Sequence, residues 1–223
     1  MTDAGTPTQA TDESEPEATA GHPGPLALVG GGEWTEGCTF DAELWEQAGR
    51  PEVVVLPTGA AYEHPERVVA AATAWFSGFG ARASGVMVVG RADADDEATA
   101  RRLAEARFVY LAGGSPLHVR SVLKDSPVWA ALRTAWSAGA VIAGTSAGAM
   151  VAGDPMIDPR GGALTLGLGL VRHLAVLPHA DTWSPEKAQR TVDLATGHLR
   201  IAAVDERTAL LRNPDGTWRV AGA

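Results

Sequence analysis

Five short apolar runs, Leu26–Val29, Val53–Leu56, 86–89, Phe108–Leu111 and 140–143, recur along the chain with amphipathic stretches between them. Each run is apolar on both pleat faces, the pattern of strands buried between two layers of helices rather than strands with one face in water. Several end in turn chemistry: Gly30-Gly31-Gly32, Pro57-Thr58-Gly59, Gly113-Gly114 and Gly144-Thr145. Between them, 63–79 predicts a helix with Val68, Val69, Ala72, Trp75 and Phe76 on one face. A second helix is expected over 95–107, acidic at its start and basic at its end, in keeping with the helix dipole. A third, over 127–138, follows Ser126 as N-cap with Pro127 in the first turn. Strand and helix alternating in this way imply an α/β fold in three layers, a mainly parallel sheet with helices on both faces. The end of the chain reads differently: Thr208–Arg212 and 218–220 flank Asn213-Pro214-Asp215-Gly216, a C-terminal β-hairpin.

With 223 residues the chain has room for one α/β domain and a tail. Residues 1–24 are rich in Thr, Ala, Pro, Glu and Gly, with too little apolar surface to offset the entropy of ordering, and are expected to be a disordered acidic tail. The domain is expected over 25–223. The net charge of -9, with no basic stripe, argues against a nucleic-acid partner. Asp3, Asp12, Glu13, Glu15 and Glu17 contribute five of those negative charges. Cys38 is the only cysteine, so an intrachain disulfide or a thiolate metal cluster is excluded. No basic-then-apolar leader and no long apolar window are seen, so the expectation is a cytoplasmic protein without a membrane partner.

The run at 140–143 leads directly into Gly144-Thr145-Ser146-Ala147-Gly148, a G-x-S-x-G sequence in the context of strand, tight turn and helix. Small residues surround Ser146 because such a turn brings neighbouring backbones close together. A serine so placed projects from the carboxyl end of the sheet at a helix N-terminus, where free N–H groups and the dipole stabilise negative charge. The N–H of Ala147 is a natural oxyanion donor, and Gly113-Gly114, at another strand end, is the best source of a second. A capped helix start is the plainer alternative.

A nucleophilic serine needs a base, usually histidine. Of six histidines, His22 lies in the tail, His64 and His118 at helix starts, His173 beside Arg172 and His198 late in a helix. His179 follows the apolar run 174–178, and a strand-end position would bring it to the same rim as Ser146. For the orienting carboxylate, Asp181, Asp154, Asp158 and the Asp205-Glu206 pair all remain open on the sequence alone.

The ordered set Leu28-Val29-Gly30-Gly31-Gly32, Leu111-Ala112-Gly113-Gly114, Gly144-Thr145-Ser146-Ala147-Gly148-Ala149, Leu177-Pro178-His179 and Val204-Asp205-Glu206-Arg207-Thr208-Ala209 resembles the dipeptidase E and cyanophycinase family of serine peptidases, peptidase family S51. The resemblance extends from Leu26 to Val220. It implies a class I glutamine amidotransferase-like, flavodoxin-like fold, Ser146 as nucleophile, His179 as base, Glu206 as the third member, and Gly114 and Ala147 as oxyanion donors. No cofactor or metal is implied, and the partner would be a small peptide substrate, bound by a monomer or homodimer. The resemblance also implies a basic position for an N-terminal aspartate near Lys187 or Arg190; Trp183, close after the histidine, reads either as a wall of the substrate pocket or as a buried packing residue. Departures bear on substrate: Ser115-Pro116 follows the paired glycines where cyanophycinases resemble one another in Asn-Gln, and Ala180-Asp181-Thr182-Trp183 replaces a longer basic signature after the histidine. Both weaken a β-aspartyl-arginine specificity.

Other functions are less favoured. A glutamine amidotransferase would have cysteine at the turn, whereas Cys38 lies far upstream. A non-catalytic binding protein on the same fold is disfavoured by the intact Ser146, His179 and Glu206. Metal-hydrolase spacing is absent, and Gly30-Gly31-Gly32 lacks the dinucleotide pattern G-x-G-x-x-G. The segment 150–169, with Asp154-Pro155, Asp158-Pro159 and Gly161-Gly162, reads either as a cover over the site or as an ordinary connection.

Overall fold

The computed structural model describes residues 22–195 and 198–223, and of Lys187 only its backbone. Most of the expected acidic tail, residues 1–21, lies outside the described residues. The element order is β1 (Leu26–Val29), α1 (Phe40–Gln47), β2 (Val53–Leu56), α2 (Pro65–Ser77), β3 (Ala83–Gly85), α3 (Arg91–Ala94), α4 (Glu97–Ala104), β4 (Phe108–Leu111), α5 (Pro116–Leu123), α6 (Pro127–Ser137), β5 (Val141–Thr145) and α7 (Ala147–Ala152). There follow four two-residue strands, β6 (Gly153–Asp154), β7 (Met156–Ile157), β8 (Leu164–Thr165) and β9 (Val171–Arg172), then β10 (Leu174–Pro178), α8 (Pro185–Asp193), β11 (Arg200–Val204), β12 (Thr208–Arg212) and β13 (Trp218–Gly222).

Seven strands form the main sheet in the order β13-β12-β1-β5-β4-β2-β3. The five from β1 to β3 are mutually parallel, and the β12–β13 hairpin adds antiparallel to β1. The sequence expectation of a mainly parallel α/β sheet with a C-terminal hairpin is met. Strands β1, β2, β4 and β5 are buried along their whole length, as their two-sided apolar pattern requires. On one face Phe40, Phe76, Phe108 and Tyr110 pack with Leu44 and Ala72; burying each such ring contributes about 1.5–3 kcal/mol. On the other, Leu26, Leu28, Leu111 and Ile142 pack against Leu103, Leu123, Leu132 and Val151.

Three elements differ from the sequence expectation. The strand expected over 86–89 is three residues earlier, at Ala83–Gly85, on the sheet edge. Its neighbour β2 ends before Pro57, and after one more bond, Val86 N–H to Val55 O (2.9 Å), the chain leaves the ladder with Val86 and Val88 buried and Met87 exposed. The helix expected over 95–107 is the shorter α4, Glu97–Ala104, preceded by the separate turn α3, because Asp96 caps α4 by accepting from the Thr99 N–H at 2.7 Å. The third difference bears on function. β10, which carries His179 at its end, lies outside the main sheet, in a second sheet of order β11-β10-β6-β9. There β10 and β11 run parallel, Leu174 opposite Arg200 through Pro178 opposite Val204. Among the described residues, no helix is long and apolar enough to cross a membrane.

Candidate active site

The turn after β5 holds Ser146 at φ 47°, ψ −106°, a backbone conformation that a residue with a side chain adopts only where its surroundings force it. Two observations account for that force. The Ser146 N–H donates to Val29 O of β1 at 2.9 Å, pinning the turn to the neighbouring strand. Gly144 and Gly148 let β5, α7 and β4 touch: a Cβ on Gly144 would lie 2.6 Å from the Gly148 carbonyl carbon, and one on Gly148 would lie 2.3 Å from Leu111 O. The small residues legible in the sequence are therefore steric requirements of the turn. Ala147 opens α7, so its N–H has no intrahelical acceptor. Gly114, the other expected oxyanion donor, follows β4 at φ +119° and packs on Gly59 O.

His179 arrives from the second sheet. It follows Pro178 in the left-handed region, φ 53°, and its N–H donates to Gly30 O at 2.8 Å, which docks the end of β10 onto the end of β1. Its imidazole lies over Gly31, where an added Cβ would come within 2.2 Å of the ring Cε1. From there Nε2 lies 2.9 Å from Ser146 Oγ and Nδ1 lies 2.9 Å from Glu206 Oε1. A carboxylate can only accept, so the proton sits on Nδ1, and Nε2 accepts from the serine hydroxyl.

Glu206 follows β11, the strand parallel to β10, so the in-register pair delivers His179 and Glu206 to the same end. Asp181 Oδ1 accepts the Glu206 N–H at 3.1 Å, and Arg207 N–H donates to Gly31 O at 2.7 Å. Of the carboxylates that the sequence left open, Glu206 meets the histidine and Asp181 holds the backbone of Glu206. Asp154 caps Gly167 N–H and Asp158 pairs with Arg160; that guanidinium, together with the Arg160 N–H, pulls the Asp158 carboxyl down to about 2. Asp205 is exposed. The remaining histidines are elsewhere: His64 beside Glu66, His118 on Val89 O, and His173 and His198 along a separate groove.

Past His179, the chain lines a cavity of ≈ 470 Å³ bounded by Thr182, Trp183, Ser184, Arg190 and Thr191 on one side and 159–162 on the other. Trp183 and Arg190, two of the expected substrate-binding residues, thus share one cavity, and the segment suspected of covering the site supplies its far wall. Arg160 is tied to Asp158, whereas Arg190 makes no ion pair among the described residues. The side chain of Lys187 lies outside the described residues.

One residue escaped the sequence reading. Glu33, just past the triple glycine of β1, accepts the Thr145 hydroxyl at 3.0 Å through Oε2, one residue before the serine. Behind it lies Asp41, fully buried, whose Oδ2 accepts the Trp75 indole N–H at 2.9 Å. Burial pushes the Asp41 carboxyl up to about 8, and the nearby Glu33 charge adds to the rise. The signal for Glu33 was weak: a lone acid in a glycine-rich turn is ordinarily a turn residue. Among the described residues no group of three or more His, Cys, Asp or Glu is arranged to hold a metal ion.

A three-layer α/β fold with a strained serine, a histidine and an acid linked by two 2.9 Å contacts defines the class of serine-type hydrolases. Residues 26–219 match the model of peptidase family S51, and the chain belongs to that family of serine-type peptidases. It is 28% identical to the cyanophycinases of Synechococcus elongatus and of Thermosynechococcus vestitus, over 91% of this chain and 67% of theirs. Among solved structures it is similar to a peptidase from an acI-B1 Actinobacterium, at 28% identity and a TM-score of 0.80, covering 91% of this chain and 89% of that one. A Peptidase E protein of Listeria monocytogenes EGD-e shares the fold, with a TM-score of 0.66 at 17% identity, over 90% of this chain and 98% of that one.

Proposed function

We propose that this peptidase cleaves short peptides or related amides through an acyl-enzyme on Ser146, with preference for a substrate carrying an acidic side chain, such as an aspartyl dipeptide. His179 Nε2 takes the Ser146 Oγ proton as the oxygen attacks the scissile carbonyl carbon. Glu206 holds the Nδ1–H and balances the imidazolium charge. The N–H groups of Gly114 and Ala147 receive the tetrahedral oxyanion. The imidazolium then returns its proton to the leaving amine, and a water, deprotonated by the same nitrogen, releases the acid product and restores the serine.

The observation that carries this reading is the continuous link Ser146 Oγ to His179 Nε2 and His179 Nδ1 to Glu206 Oε1, each 2.9 Å. The acidic preference is supported by Arg190, which lines one cavity with Trp183 and makes no ion pair among the described residues. The His179 side chain is 35% exposed, so a small substrate reaches it directly. We also place the enzyme in the cytoplasm, acting as a monomer or homodimer.

The test is intact-mass spectrometry after fluorophosphonate treatment, wild type beside Ser146→Ala. One adduct on wild type and none on the variant is the expected result, with hydrolysis of aspartyl dipeptides lost in the variant. No adduct on the wild type would overturn the assignment of Ser146.

A further inference from the structure

The two faces of the hairpin β12–β13 are covered unequally. Ala209, Leu211 and Ala221 pack into the cluster around Phe40. Leu210, Trp218 and Val220 point the other way, because side chains alternate along a strand, and there Trp218 is 38% and Val220 70% exposed. Between that face and the start of β11 runs a groove of ≈ 780 Å³, with Leu174, Ile201, Ala202, Leu210 and Trp218 as its apolar lining. Arg172, His173, His198 and Arg200 supply its polar lining, and no Asp or Glu lines it among the described residues. None of those four side chains has an ion-pair or hydrogen-bond partner among the described residues. The acids on adjoining elements are engaged locally, Asp154 by Gly167 N–H and Asp215 by Thr217. Leu174 and Arg200 open β10 and β11, whereas His179 and Glu206 follow their other ends, so the groove lies away from the catalytic rim.

The chain enters the main sheet beside this groove. Gly24 N–H donates to Trp136 O, and Gly24 O accepts the Trp136 indole N–H, each at 2.8 Å. Leu26 is then opposite Arg212, and Arg212 is opposite Trp218. Two strand spacings, about 10 Å, therefore separate the first residue of β1 from the aromatic wall of the groove. Upstream stands Asp12-Glu13-Ser14-Glu15-Pro16-Glu17, four carboxylates in six residues, and residues 1–21 contain no Lys or Arg. Glu17 is seven residues from Gly24, a span of up to about 25 Å. Such a segment has too little apolar surface to form a core of its own, so a partner surface has to supply whatever order it gains.

We propose that residues 12–17 occupy this groove of their own chain, with carboxylates on Arg172 and Arg200 and Pro16 against the Trp218 ring. The segment then bridges β11 of the second sheet and the hairpin of the main sheet, behind the end that carries the catalytic groups. It adds a contact between the sheet that delivers His179 and Glu206 and the sheet that delivers Ser146. Each exposed ion pair strengthens such docking only a few-fold. The tether compensates, because a segment this short and this close is present at an effective concentration on the order of millimolar. A second copy of the chain or a foreign acidic peptide has to bind without that advantage.

The test uses the full chain, 15N-labelled, with a nitroxide on Thr11→Cys; Cys38 is buried. The readout is paramagnetic broadening of backbone amide signals. The amides of Ile201, Ala202 and Trp218 are expected to broaden at about 0.05 M salt and to recover at about 0.5 M, where the screening length falls to about 4 Å. Arg172 and Arg200 are exposed, so replacing both by Ala leaves the core intact; the pair Arg172→Ala and Arg200→Ala should weaken the broadening about threefold to tenfold, the loss of two exposed ion pairs. Asp12→Asn with Glu13→Gln, Glu15→Gln and Glu17→Gln should weaken it as much, with the groove unaltered. No broadening, or broadening spread evenly over the surface, overturns the proposal. Groove broadening that survives loss of both arginines also overturns it, since charge would then not hold the segment. A mixture of unlabelled nitroxide-bearing chain with 15N-labelled chain lacking the nitroxide identifies the source. Groove broadening in that mixture would assign the site to the tail of a second copy and overturn the intrachain reading; its absence there is the expected result.

Discussion

The two halves of the site are built differently. Ser146 comes from the middle of the main sheet, where β5 lies between β1 and β4 and every residue of the strand is buried. His179, Glu206 and the walls of the cavity come from the small second sheet and its connections, where α8 is largely exposed and Val204 alone of β11 is buried. The first half is specified by contacts that leave no freedom: glycines against backbone, and a strained φ held by a hydrogen bond to β1. The second is specified by docking, through His179 N–H on Gly30 O and Arg207 N–H on Gly31 O. The reacting geometry is thus anchored in the core, and the groups that would select a substrate lie where substitution leaves the core untouched.

Several changes would break or sharpen that contrast. The largest effect short of removing the serine is expected at the junction of the halves. Gly31→Ala would drive a methyl group into the His179 ring, at φ +140°, and kcat should fall about 10²–10³-fold, the penalty for misplacing a catalytic group by about 1 Å or more. The circular dichroism spectrum should stay native. If kcat is unchanged, the docked arrangement of His179 over Gly31 is wrong. Glu206→Gln, which preserves shape but removes the charge opposite Nδ1–H, should lower kcat by about 10–10²-fold in steady-state kinetics, because the orienting acid contributes less than nucleophile or base. Arg190→Ala should act on the exposed half alone, raising KM for acidic substrates about tenfold with kcat and Tm nearly unchanged. An equal loss on neutral substrates would deny it a role in selecting charge.

The smallest effect on activity, and the clearest on stability, is expected behind the buried half. Asp41 has a folded-state value raised to about 8 against about 4 when unfolded. Between those values the folded chain holds the extra proton, so this group makes stability fall as pH rises from about 4 to about 8, by roughly 1.4 kcal/mol per pH unit, and leaves it flat above. Asp41→Asn retains an acceptor for Trp75 and removes that slope. Its Tm should exceed wild type by more at pH 8 than at pH 5; the same difference at both values would show that Asp41 does not titrate in this range.

How much was legible follows from the kind of interaction. The strands β1, β2, β4 and β5 and the turn at Ser146 could be read because their cause is local: a two-sided apolar run has to be covered, and a tight turn between strand and helix needs small residues. β3 was misplaced because an edge strand has one partner, and the pattern 86–89 stays apolar after pairing ends. The start of α4 at Glu97 depended on which of several neighbouring acids capped. Among the candidate acids, spacing could not choose, since Asp181 is two residues from His179 and Glu206 twenty-seven.

By itself, then, the sequence determined a parallel α/β sheet, the strand-turn-helix around Ser146 and a histidine at a strand end, because burial and backbone sterics act between near neighbours. Only the tertiary structure decided that β10 and β11 pair outside the main sheet, that Glu206 and not Asp181 meets His179, and that Glu33 accepts the hydroxyl of Thr145, the residue before the serine. Those outcomes depend on the packing of segments separated in the chain, by 27 residues for His179 and Glu206 and by 112 for Thr145 and Glu33, and no local pattern encodes a distance across the fold.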